Sequence, residues 1–159
     1  MPTLNFMGDV MFGELLENLR RGLRTILEKE GIDPFEFAAP FLEKEALNVI
    51  NLETVFSDSS RLSKPFSEIL ISTERSADYL ADNNINIVNT ANNHALDHGK
   101  GAFERSLDIL KSRGITVIGY RKGRFFQKDP EVIDSGGLKI GFLGYNISNF
   151  PENTTVNLS

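Results

Sequence analysis

The chain has 159 residues, 40% hydrophobic and 25% charged, a composition that suits one globular core. Its 17 basic and 22 acidic residues leave a net charge of -5, which disfavours nonspecific binding to nucleic acid or to an anionic membrane. Cysteine is absent, which excludes disulfides, thiolate zinc sites and a cysteine nucleophile, so any bound metal must rely on oxygen and imidazole ligands.

In chain order, Leu4-Asn5-Phe6-Met7 predicts a first strand, broken by Gly8-Asp9. Leu15, Leu16, Leu19, Leu23, Ile26 and Leu27 then recur at helical spacing, which predicts one helix from Glu14 to Glu30 closed by Gly31. A second helix is expected over Phe37 to Glu45, then a strand Leu47 to Leu52 that ends at Glu53 and a polar loop through Asp58, Ser59 and Ser60. A helix over Thr73 to Asn83, capped by Ser72 or Thr73, leads to the apolar run Ile85 to Val88. Another helix, Ala102 to Arg113, is ended by Gly114 before a strand at Ile115 to Ile118. Finally, Glu131 to Asp134 and Leu138 to Tyr145 flank Ser135-Gly136-Gly137, a hairpin signature that gives the sheet an antiparallel margin. The expected fold class is α/β, a mostly parallel sheet with flanking helices and an antiparallel hairpin near the C-terminus. No apolar run approaches the roughly 20 residues of a membrane-spanning helix. The first residues lack the basic start and apolar stretch of a signal peptide, so the chain as it stands reads as soluble.

Three strand ends carry chemistry: Gly8-Asp9-Val10-Met11, Asn51-Leu52-Glu53 and Asn92-Asn93-His94-Ala95-Leu96-Asp97-His98-Gly99. Parallel strands bring such ends to one edge of the sheet, where open α/β folds place their ligands. There Asp9, Glu53, Asn93 and His94 could converge on one or two divalent cations. Hard oxygens with one imidazole suit Mn, Mg, Fe or Zn rather than copper. Such an ion lowers the pKa of bound water and polarises a phosphoryl or carbonyl oxygen. His94 could protonate a leaving group, with Asp97 fixing its tautomer and Asn92 anchoring the loop.

The three motifs, in this order, resemble the bacterial capsule synthesis family usually called CapA, which is associated with poly-γ-glutamate production. Its domain is similar to the calcineurin-like metallophosphoesterases, so the resemblance implies half of an αββα sandwich. It also implies a metal-binding Asp9, a metal-bridging Glu53, an Asn93 ligand, and a substrate-facing His94 oriented by Asp97. Two departures follow from the same comparison. Met11 stands where phosphoesterases generally place a histidine, and no histidine follows His98, whereas family members complete the metal site from a second half. The expectation is therefore a single domain over residues 1–159, truncated at its C-terminus, that holds its metal incompletely. An exposed sheet edge could then pair with another copy.

The resemblance implies a role in capsule or poly-γ-glutamate biosynthesis with a metal-dependent, phosphoesterase-like hydrolase site. Its substrate would be an anionic polymer or a phosphoester. The alternative is a noncatalytic subunit that binds polymer or organises a membrane capsule synthase, and in either case the family resemblance suggests association with the bacterial cell surface. Each residue also has a plainer reading: Asp9 as a turn residue, Glu53 as a solvated or capping carboxylate, and His98, which could also join the pocket, as a helix-capping or solvent-facing residue before Gly99. Arg121, Lys122 and Arg124 read as an exposed turn rather than an anion site. Phe6 and Phe142 read as core; Phe12, Phe35 and Phe56 adjoin the site, with core packing the simpler role. No Gly-x-Ser-x-Gly elbow and no phosphate-cradling Gly-x-x-x-x-Gly-Lys loop is present, which sets aside serine hydrolysis and ATP-driven ligation by this chain.

Overall fold

The computed structural model describes residues 2–15, 22–57, 68–121 and 129–146. The polar loop at Asp58 to Ser60, Lys122 and Arg124 lie outside them. Four parallel strands form the central sheet in the order β1-β3-β7-β8: β1 Leu4–Val10, β3 Leu47–Leu52, β7 Ile87–Asn89 and β8 Thr116–Ile118. Short apolar runs make these strands, with β-branched residues in β3, β7 and β8, and strand alternation sorts the side chains onto two faces. Ile50, Leu52 and Val88 face the helices, where they pack with Leu27 of α1 (Leu23–Glu30), Leu80 of α2 (Asp78–Asp82) and Leu110 of α3 (Lys100–Ser112). Each such fully buried aliphatic side chain contributes roughly 1.5–3 kcal/mol. Phe12, Phe35 and Phe56 belong to this core, with Phe12 6.3 Å from Phe35 and 6.0 Å from Phe56 between ring centres.

The opposite face carries Leu47, Val49, Ile87 and Ile118, and these are covered by the C-terminal hairpin. Its strands β9 Glu131–Ser135 and β10 Leu138–Phe142 pair antiparallel around Gly136 and Gly137, at φ 60° and 84°. Two consecutive positive φ angles make the tight turn that matches strand twist, and glycine reaches both without strain. Ile133, Ile140 and Phe142 point at the sheet. The hairpin forms its own two-stranded ladder, so it is a second layer rather than the antiparallel margin expected from sequence. Pairing was readable from the turn; the layer was not, because the same alternation suits an edge or a facing ribbon.

Several local expectations are corrected. β1 does not stop at Gly8 but continues to Val10, with a bulge: Phe6 pairs with Val49, and Asp9 with Asn51, so three steps on β1 match two on β3. Phe6 is 67% exposed on this edge strand, its ring centre 6.4 Å from that of Phe142, and is not core. Glu14 begins no helix: β2 Glu14–Leu15 pairs antiparallel with β5 Glu68–Ile69, and α1 starts only at Leu23. Over Phe37 to Glu45 there is one 3-10 turn, Ala39–Phe41, since Pro40 cannot donate the backbone hydrogen bond an α-helix needs. The helix expected over Thr73 to Asn83 is a 3-10 turn, Glu74–Ala77, running into α2. Thr73 occupies its N-cap position without a side-chain cap bond. A two-stranded parallel pair, β4 Val55–Phe56 with β6 Ile71–Ser72, completes the described ladders.

Candidate functional site

The carboxyl ends of β1, β3 and β7 lie side by side because the parallel register aligns Asp9 with Asn51 and Asn51 with Asn89. Asn51 is the hub. Its Nδ2 donates to Asp9 Oδ1 at 2.7 Å and to Glu53 Oε1 at 3.1 Å, so the two carboxylates meet on one amide nitrogen. Its Oδ1 accepts from Asn89 Nδ2 at 2.9 Å, with Asn92 Nδ2 more distant at 3.5 Å.

The loop after β7 is held at both ends. Asn92 Nδ2 donates to the Leu52 carbonyl at 2.8 Å, while its Oδ1 accepts the His94 backbone N–H at 3.2 Å. The anchoring expected of Asn92 is therefore present, and Asn146 Nδ2 adds a bond to its carbonyl. This turn presents His94 with Nδ1 2.8 Å from Asp97 Oδ2 and Nε2 4.0 Å from Glu53 Oε2. The side chains of Glu53, His94 and Asp97 are largely buried, whereas Asp9 and Asn93 are exposed at the rim. His98, on the same loop, has its Nδ1 buried and without a hydrogen-bond partner among the described residues. Burial lowers its pKa below the usual histidine value, and the Asp97 charge opposes that shift.

The structure thus gathers Asp9, Glu53, His94 and Asp97, with Asn93 on the same loop. The sequence places Asn51 in the second motif without assigning it a role, and Asn89 receives none either. Their signal was an amide inside each of two buried strands, which is costly unless partnered. The donor set fits a hard divalent cation in kind, with two convergent carboxylates and an imidazole beside one of them. In number it is partial: among the described residues, no three acidic or imidazole groups are grouped closely enough to hold a metal ion.

A helix-backed parallel sheet with carboxylates, amides and a carboxylate-paired imidazole at its carboxyl edge defines an α/β protein with a polar strand-end site. The model of one family, described as bacterial capsule synthesis protein PGA_cap, matches residues 3–157, and the chain belongs to that family. The PGA biosynthesis protein CapA of Bacillus subtilis (strain 168) is 26% identical over 119 residues. That match covers 74% of this chain and 30% of the relative's length.

Proposed function

We propose that this chain serves capsule biosynthesis, on the poly-γ-glutamate route its relative's name describes, through a divalent-metal-dependent, phosphoesterase-like hydrolytic site at the strand ends. The observation that carries this reading is the meeting of Asp9 and Glu53 on one amide nitrogen, beside the His94–Asp97 pair. Asp9, Glu53 and Asn93 would hold part of the cation's coordination. When bound, the cation supplies a polarised substrate oxygen and a more acidic water. Asp97 accepts a hydrogen bond from Nδ1–H of His94, which leaves Nε2 facing the Glu53 side of the site as the atom that carries or receives a proton. An anionic polymer or phosphoester is the matching substrate class, and membrane components of a capsule synthase are the matching partners.

The small ligand count favours a second reading, a noncatalytic subunit that uses the same cleft to recognise polymer. Calorimetry with Mn²⁺ on the wild-type chain and on an Asp9→Ala, Asn93→Ala double variant separates them. The hydrolase reading expects binding abolished by the substitutions, followed by metal-dependent phosphoesterase turnover that is lost in His94→Ala. Polymer binding indifferent to Asp9→Ala and Asn93→Ala, without Mn²⁺ binding, supports the subunit.

A further inference from the structure

We infer that Asn51 is a positioning residue that holds the Asp9 and Glu53 carboxylates together, and that Asn89 sets the direction in which Asn51 faces. The inference rests on the metal reading only for what the carboxylate pair then binds. Two carboxylates brought to one place repel each other unless something positive lies between them. Here both hydrogens of one amide do so, and they engage one oxygen of each carboxylate, Asp9 Oδ1 and Glu53 Oε1. Asp9 Oδ2 and Glu53 Oε2 lie outside this amide's grip, and Oε2 is the oxygen nearest His94.

An amide can turn end for end, so its direction needs a cause. The cause is traceable to one backbone group. The Ala91 N–H points at Asn89 Oδ1, at 3.3 Å, and can only donate. Asn89 must then present Nδ2 to Asn51 Oδ1, and Asn51 must present Nδ2 to the carboxylates. Asn89 has little room to depart from this. A Cβ added at Gly119 or at Gly144 would stand 2.6 or 2.4 Å from its Oδ1, so both backbones close over the amide. Gly119 also has φ +91°, a conformation that side-chain-bearing residues rarely adopt.

The test uses the full 159-residue chain with Asn51→Leu, which removes both donors, and Asn89→Asp, which keeps shape but offers Asn51 an acceptor where it had a donor. Far-UV circular dichroism checks that each variant folds. Hydrogen-bonding partners of metal ligands typically matter about 10–100-fold in affinity, so both variants are expected to weaken Mn²⁺ binding by that factor. Wild-type affinity in both, alongside loss of binding in Asp9→Ala, overturns the positioning role and leaves the metal reading intact. Absence of Mn²⁺ binding in the wild-type chain counts against the metal reading instead. The positioning role is then decided without metal, by urea midpoints of Asn51→Leu, Asp9→Asn and the double variant. Losses smaller in the double variant than the two singles combined support it, and additive losses overturn it.

Discussion

His94 stands between two carboxylates that ask different things of it: Asp97 holds Nδ1 at 2.8 Å, and Glu53 lies 4.0 Å from Nε2. If His94 moves the proton in a metal-dependent turnover, His94→Ala should lower kcat about 10²–10⁴-fold. Asp97→Asn should lower kcat more than it raises KM, because it disturbs the tautomer and not the binding of substrate; steady-state kinetics of the two variants reads both. His98 makes a pH prediction of its own. Its folded-state pKa is lowered by burial, so the unfolded chain takes up a proton first as pH falls from about 6.5. Stability is then full above that value and is lost as pH drops through the folded pKa. Urea midpoints between pH 7.5 and about 5 should therefore fall more for wild type than for His98→Asn. Asp9, Glu53, His94 and Asp97 were legible because a charged group at the end of an apolar run stands out. Asn51 and Asn89 were not, since an amide inside a strand shows its importance only once the neighbouring strand is known. The same amide stitching recurs at the other end of the sheet, where Asn48 Nδ2 donates to the Glu43 and Asn84 carbonyls and Asn86 Nδ2 to that of Ala46.

At the scale of elements, helix α1 is capped from outside itself. The buried Glu14 carboxylate accepts from the backbone N–H groups of Gly22 and Thr25, each at 2.8 Å, and from the Thr25 hydroxyl. An anion at a helix N-terminus satisfies donors the helix cannot, so Glu14→Ala is expected to cost about 1–3 kcal/mol, measured by urea unfolding. The helix expected from Glu14 therefore begins at Leu23 in the described residues, with the Glu14 carboxylate serving its first turn, while Leu16 and Leu19 lie outside the described residues. Helix α3 was easier to read. Phe103, Ser106, Leu107 and Leu110 keep one buried stripe, and Gly114 at φ +75° stops it as expected. In the connection after β8, Gly119→Ala places a Cβ 2.5 Å from the Ala91 Cβ at a positive φ. It should cost more than about 1 kcal/mol, read from the same unfolding curves.

At the scale of the whole molecule, the described residues form a sheet clad on one face by three helices and on the other by a ribbon, and the ribbon's hold is concentrated in few side chains. Phe142 is buried against Leu47, Val49, Ile87 and Ile118, so Phe142→Ala should remove about 3–5 kcal/mol from global stability, visible in the thermal midpoint. The alternation of strands and helices made the parallel sheet legible at this scale, while the stacking of hairpin on sheet depends on contacts far apart in sequence. Among the described residues, no helix is long and apolar enough to cross a membrane. The extra residue in β1 matters for the molecule as a whole. Phe6 and Asp9 are three positions apart, yet they sit opposite Val49 and Asn51 on the same face, so the strand carries one residue of slack between its packed half and its site half. That residue separates two registers: the pairs Leu4–Leu47 and Asn5–Asn48 precede it, and Asp9–Asn51 and Val10–Leu52 follow it. Excising Gly8 would take up that slack and join the two registers into one unbroken ladder in which Phe6 still meets Val49 and Asp9 still meets Asn51.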